Sequence, residues 1–132
     1  MEEIFQGLGI SKTTINNMME IDSNLKELSD KEIYEKIELL KKLKCDNIQI
    51  RNIISSNVMY LERDNKDIEK LIKKLQEKGF SMLNILFDGN PYILNIDDYE
   101  IEKYIASREQ AGEKLEDIVD DMEANSYIFQ DI

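Results

Sequence analysis

The pattern that decides the fold begins at residues 33–40, which read IYEKIELL. Ile33, Ile37 and Leu40 stand at positions i, i+4 and i+7, so they line one face of a helix. The same spacing returns 35 residues later and again 33 residues after that. These further copies are Ile68, Ile72 and Leu75, then Ile101, Ile105 and Arg108. A helix therefore repeats along the chain, with a charged residue in its last copy.

A second apolar segment precedes each of these helices with the same period. Its members are Ile15, Met18 and Met19, then Ile50, Ile53 and Ile54, then Leu83, Leu86 and Phe87. Residues that cap helix starts repeat as well. Ser11, Asp46 and Ser81 stand before the first helices, and Ser29, Asp64 and Asp97 stand before the second. Each repeat therefore predicts a helical hairpin.

A short recurring string joins the two helices of a hairpin. It reads Asn57-Val58-Met59-Tyr60-Leu61, then Asn90-Pro91-Tyr92-Ile93-Leu94, then Asn125-Ser126-Tyr127-Ile128-Phe129. Asparagine suits a helix end because it tolerates the left-handed conformation, and proline suits the first turn of a new helix. We interpret the tyrosines and methionines near these joints as core residues. The alternatives are base stacking by Tyr60, Tyr92 and Tyr127 and a methionine-rich docking groove formed by Met18, Met19, Met59 and Met82.

These patterns predict an all-α fold, a right-handed stack of helical hairpins with about 3.5 repeats of ~35 residues. The few breakers, five glycines and one proline, favour long helices over a turn-rich β fold. We predict one domain over residues 1–132. The repeats lie near 8–40, 43–75 and 78–108, with a half repeat at 112–132.

The composition argues against an enzyme. The chain has no histidine and a single cysteine, which removes the commonest general base and metal ligand and any zinc knuckle. No glycine-rich phosphate loop is present. Cys45 aligns with Ile10 and Phe80, so we interpret it as a small buried apolar residue rather than a reactive thiol. We expect no cofactor, no metal and no catalytic residue.

The sequence also suggests where the protein acts. It has no apolar run near the roughly 20 residues that span a bilayer, and its start, Met1-Glu2-Glu3, is acidic, unlike a secretory signal. We therefore expect a cytoplasmic protein without a membrane partner.

The repeats resemble those of the mitochondrial transcription termination factor (mTERF) family. Leu8-Gly9-Ile10-Ser11 and Lys78-Gly79-Phe80-Ser81 look like the Leu-Gly-hydrophobic turn that opens such a repeat. Asn90-Pro91-Tyr92-Ile93-Leu94 is similar to its Pro-x-x-Leu joint. The resemblance implies an α-solenoid that binds nucleic acid along a basic surface and acts in transcription regulation.

The charge distribution indicates which part of the chain would bind nucleic acid. The net charge is −11, with −5 over residues 1–40, +4 over 41–78 and −10 over 79–132. Nucleic-acid contacts implied by the resemblance therefore fall in the basic middle repeat. The candidates are Lys41, Lys42, Lys44, Arg51, Lys70, Lys73 and Lys74. For Lys41, Lys42 and Lys44 the alternative is a solvated helix end that complements the helix dipole.

The acidic end of the chain predicts a different partner. Six carboxylates crowd there, Glu113, Glu116, Asp117, Asp120, Asp121 and Glu123, and they favour a protein with a basic surface. Such a protein could be a nucleic-acid-binding enzyme, which the chain would inhibit by mimicking its ligand. A phage or mobile-element inhibitor of host defence fits by analogy. The alternatives are a solvated helix face and a metal-dependent hydrolase. We take protein docking as the leading hypothesis.

Overall fold

The computed structural model describes all residues, 1–132, and consists of helices without any β-strand. Eight α-helices are present: α1 (Glu2–Gly7), α2 (Lys12–Ile21), α3 (Asp30–Lys42), α4 (Asn47–Ser56), α5 (Asn65–Lys78), α6 (Leu83–Gly89), α7 (Asp98–Gln110) and α8 (Leu115–Ala124). Four 3₁₀ helices are also present: η1 (Ser23–Glu27), η2 (Val58–Glu62), η3 (Pro91–Asn95) and η4 (Ser126–Asp131). The first three each join two α-helices, and η4 follows α8. The predicted all-α fold class is confirmed, and the recurring joint strings form the 3₁₀ helices.

Each repeat opens with one residue in the left-handed region. These residues are Gly9, Lys44, Gly79 and Gly112, with φ of 91°, 70°, 107° and 97°. In all four the next amide returns to the preceding helix, as in the 3.0 Å bond from the Ile10 N–H to the Phe5 carbonyl. Glycine adopts this conformation without steric cost. Lys44 therefore occupies a glycine-like position, which a search for Leu-Gly motifs could not detect.

The predicted starts of the first helices hold in the first two repeats and fail in the third, whereas Ser29, Asp64 and Asp97 all stand at the N-cap of a second helix. Ser11 accepts the Thr14 amide at 3.2 Å, and Asp46 accepts the Gln49 amide at 2.8 Å. Ser81, in contrast, caps nothing, because α6 starts later and has Met82 at its N-cap position. The start of α6 lies 36 residues after that of α4, and the shortening of this repeat lies further along, where α6 has 7 residues and α4 has 10.

The chain divides into two compact units, an N-terminal unit of Met1–Arg63 and a C-terminal unit of Asp64–Ile132. The division falls inside the repeat predicted at 43–75. That residues 1–132 form a single domain stays a prediction.

The core of the N-terminal unit contains the apolar positions that the repeat pattern predicted. Its fully buried residues include Phe5, Ile15, Met18, Leu25, Ile33, Leu40, Ile50, Ile53 and Ile54. Tyr60 is also buried, and its hydroxyl donates a 2.6 Å hydrogen bond to the Lys36 carbonyl of α3. Burial raises the pKa of Tyr60, so the phenol stays protonated and keeps this bond. Cys45 is buried, as predicted.

The core of the C-terminal unit follows the pattern with one shift. Its buried residues include Ile68, Leu71, Leu75, Phe80, Leu86, Phe87, Ile101, Ile105, Ile118, Met122 and Phe129. Leu71 takes the position on α5 that we had assigned to Ile72, which is only half-buried. The rings of Phe80 and Phe129 meet with centroids 6.1 Å apart. The half repeat therefore adds its own aromatic residue to this core.

The core prediction is wrong for three residues in the joints and for Met82 at the start of α6. Met59, Met82, Tyr92 and Tyr127 are between 44% and 65% exposed. Met59, Tyr92 and Tyr127 are each the third residue of a five-residue joint string. In all three strings the third residue is exposed and the fifth is buried. Tyr60 is the fourth residue of its string, whereas Tyr92 and Tyr127 are third residues. A shift of one position therefore separates a core tyrosine from a surface one.

Candidate functional site

A cleft of about 200 Å³ lies in the N-terminal unit beside Arg51 of α4. It is lined by Gly9, Ile10, Ser11, Thr14, Arg51 and Ser55. A Cβ on Gly9 would stand 3.6 Å from Arg51 Cδ, so the arginine stem runs directly over the turn that opens the first repeat. The turn and α4 together place the guanidinium in the cleft.

The cleft is arranged to attract an anion. Ser11 caps α2, which leaves the amides of Lys12 and Thr13 at the positive end of the helix dipole. Ser55 also lines the cleft, and its hydroxyl donates a 2.7 Å bond to the Arg51 carbonyl. An arginine and a helix start match the chemistry of a phosphate group.

Three of the predicted lysines lie at the end of α3. Lys41, Lys42 and Lys44 are all exposed, and Lys41 approaches Glu38 of its own helix at 3.6 Å. Lys44 stands on the left-handed turn. All three side chains are accessible from solvent.

The three predicted lysines of α5 fall into two groups. Lys70 and Lys73 are exposed. Lys74 instead forms an ion pair with Glu102 of α7 at 3.2 Å, and Lys78 joins the same carboxylate at 2.8 Å. Hydrogen bonds from Lys78 and Lys74 hold the pKa of Glu102 below its usual range. Lys74 is therefore part of the contact between α5 and α7.

Two of the six predicted acidic residues likewise hold helices together. The Arg108 guanidinium binds both Glu113 oxygens, at 2.8 and 2.6 Å, and reaches Asp121 of α8 at 2.9 Å. It also lies 5.7 Å from the centre of the Tyr104 ring. Arg108 lowers the pKa of Glu113, and hydrogen bonds from Asn125 and Arg108 lower the pKa of Asp121. The imperfect third copy of the helix pattern is thus an ion-pair centre.

The other four predicted carboxylates, Glu116, Asp117, Asp120 and Glu123, are exposed on α8. The opposite face of this helix is buried. Glu123 stands apart, because it lines a groove with Met82, Ile85 and other residues. Desolvation there, and then the nearby Asp120, raise the pKa of Glu123.

Sequence reasoning missed a pair of carboxyl groups in the N-terminal unit. Asp22 is buried, and its Oδ1 accepts the Asn24 amide at 3.1 Å. A hydrogen bond with Asp22, followed by desolvation and the charges of Asp22 and Glu27, raises the pKa of Glu62 to about 7. Asp22 Oδ2 is buried and has no other partner, and a protonated Glu62 carboxyl would supply one. Because 40 residues separate the two, no local signal could have revealed the pair.

No group of three or more histidine, cysteine, aspartate or glutamate residues is arranged to hold a metal ion.

None of the helices combines the length and the apolar character that crossing a bilayer requires.

Comparison with known proteins bears directly on the repeats. The mTERF family model matches residues 1–120, which include all eight α-helices except the last turn of α8. No curated protein matches the chain, and no solved structure does. The resemblance predicted from the Leu-Gly turns and the Asn-Pro joint is confirmed. The chain belongs to the mTERF family.

Proposed function

We propose that the chain is a non-catalytic helical-repeat module that binds nucleic acid through its phosphate backbone. Family membership supports this function over the protein docking that we favoured from the sequence. The observation that carries it is the Arg51 cleft, where a guanidinium lies beside a helix start. Exposed Lys41, Lys42 and Lys44 in the same compact unit add positive charge. A surface of this kind recognises phosphates without reading sequence.

Direct binding measurements test this function. A fluorescent duplex DNA and a single-stranded RNA would be titrated with the protein at several salt concentrations from about 50 to about 200 mM. Binding through phosphates must weaken steeply with salt because it releases counterions. We expect Arg51→Gln to weaken binding and Lys31→Gln, an exposed lysine of α3 outside the candidate set, to leave it unchanged. No binding of either nucleic acid at the lowest salt would overturn the proposal.

A second candidate function is docking on a protein with a basic surface, in the extreme case as an inhibitor that mimics nucleic acid. It is supported by the C-terminal unit, where residues 64–132 carry 17 acidic and eight basic side chains. Four carboxylates on α8 point to solvent and are free to meet a partner. Neutralising Glu116, Asp117, Asp120 and Glu123 together should abolish such docking, whereas nucleic-acid binding should persist or strengthen.

A further inference from the structure

An apolar groove of about 220 Å³ opens on the C-terminal unit. Its lining is Met82, Ile85, Leu86, Gly89, Glu123 and Ser126. Met82 and Ile85 are 54% and 53% exposed, although both are large apolar side chains. Exposed apolar surface in a cleft marks contact sites more often than chance does.

The local sequence explains why this groove exists. Leu83, Leu86 and Phe87 are the buried face of α6, so Ile85 has to point the other way. Met82 precedes the helix start and lies three residues from Ile85, on the same outward side. Gly89 extends that side, and a Cβ there would meet no atom within 4 Å. The short third repeat therefore leaves a slot open to solvent.

One edge of the groove is acidic. Glu116, Asp120 and Glu123 stand at i, i+4 and i+7 of α8, so they share one side of that helix. Glu123 lines the groove itself. Desolvation and the nearby Asp120 raise the pKa of Glu123, and a cation brought to this position would offset the repulsion between the two carboxylates.

We propose that the groove binds an amphipathic basic helix of a protein partner, with one large apolar side chain between Met82 and Ile85 and lysine or arginine side chains against Asp120 and Glu123. Such helices place an apolar anchor and charged residues three or four positions apart. The inference rests on the second candidate function above and names its partner and its site.

Charge complementarity selects this occupant over the others. Nucleic acid would bring phosphates towards Asp120 and Glu123. A second copy of the chain would bring a net charge of −11 to an edge that is already acidic. A basic helix removes apolar surface from water and neutralises the carboxylates in one contact. The contact is small by the standard of stable complexes, so we expect weak, transient binding.

Fluorescence polarisation with a synthetic probe tests the inference. The probe is a labelled amphipathic helical peptide of leucine and lysine, and its control is a scrambled peptide of the same composition. We expect the amphipathic peptide to bind at low salt and the scrambled one to bind at least about tenfold more weakly, since one well-placed anchor carries much of a small interface. Equal binding of the two peptides would overturn the groove.

Variants separate the groove from simple charge attraction. Met82→Ser with Ile85→Ser should weaken peptide binding at least about tenfold, and Asp120→Asn with Glu123→Gln should also weaken it. Ile48→Ser, at an equally exposed isoleucine of α4 (59%), and Glu2→Gln with Glu3→Gln are the matched controls. Circular dichroism verifies folding, and Ile85→Ala replaces the serine variant if that one unfolds.

The remaining outcomes decide between the proposals. If only Asp120→Asn with Glu123→Gln weakened peptide binding, the groove would be ruled out as the binding site. Docking through the acidic residues of α8 would still stand. Failure of the amphipathic peptide to bind at all would overturn both. Sedimentation equilibrium tests whether a second copy of this chain occupies the groove instead. A dimer in the wild type that is lost in Ile85→Ser would assign the groove to that second copy. None of these results depends on whether the Arg51 cleft binds nucleic acid.

Discussion

The N-terminal and C-terminal units use the same repeat but hold their helices together with different polar groups. In the N-terminal unit the buried Tyr60 hydroxyl binds a backbone carbonyl, and Asp22 raises the pKa of Glu62. In the C-terminal unit ion pairs connect the helices: Lys74 and Lys78 bind Glu102, and Arg108 binds two carboxylates. The comparison teaches that the apolar pattern defines the repeat, whereas the polar contacts between helices differ from copy to copy.

The difference matters for function because it decides which charges remain for a partner. Sequence alone counts Lys74, Glu113 and Asp121 as candidate contacts. Each of them has a partner inside the C-terminal unit. Arg51 and the lysines at the end of α3, in the N-terminal unit, remain accessible. The two candidate functions therefore rest on different compact units.

The largest effect is expected where the two units are alike. Ile33 and Ile101 occupy equivalent, fully buried positions, so truncation of either to alanine should lower the free energy of unfolding by about 2–5 kcal/mol. Urea denaturation followed by circular dichroism measures it. Ile48→Ala, at an exposed position, should change it by less than about 0.5 kcal/mol. A marked difference between the two buried positions would contradict the equivalence of the repeats.

A smaller effect is expected from the buried hydroxyl that only the N-terminal unit has. Tyr60→Phe removes the donor and leaves the Lys36 carbonyl buried without it, at a cost of about 1–2 kcal/mol in unfolding free energy. Tyr92→Phe is the matched control, since Tyr92 lies on the equivalent joint with its side chain exposed, and should cost nothing measurable. Equal stability of Tyr60→Phe and wild type would show that this bond does not stabilise the unit.

The carboxyl pair predicts how the stability of the N-terminal unit depends on pH. The pKa of Glu62 rises from 4.5 to about 7 on folding, so the folded state binds the extra proton and stability falls as pH rises through that window. Partial exposure of Glu62 limits the loss to on the order of 1 kcal/mol. Unfolding free energies measured from pH 4.5 to 7.5 should show this slope in wild type, and Glu62→Gln should flatten it.

The ion pairs of the C-terminal unit predict the opposite pH dependence and the smallest effect. Glu113 and Asp121 have lowered pKa values, so their contribution is present above the unfolded pKa and is lost as pH falls through the folded one. Arg108→Gln should therefore lower the melting temperature slightly at neutral pH and reduce its drop below about pH 4. Exposed pairs are screened, so added salt should shrink the difference, and Lys103→Gln should show no such salt effect.

The candidate sites were less predictable than the fold, for reasons that particular residues make clear. The isoleucine spacing predicted the helices, because burial of one face imposes its period on the sequence. The basic candidates were read from composition, and composition does not show that Glu102 captures Lys74. The groove at Met82 and Ile85 was missed because an apolar residue is assigned to the core by default. Only the exact register of the helix shows that it faces solvent.

By itself the sequence determined the all-α class, the period of the repeat, the joints and the family, since each follows from local spacing that a few adjacent residues specify. The tertiary structure decided which charges face solvent, which tyrosines are buried, and that Asp22 meets Glu62. Those outcomes depend on which helices lie side by side, and contacts between residues far apart in the chain leave no periodic mark on it.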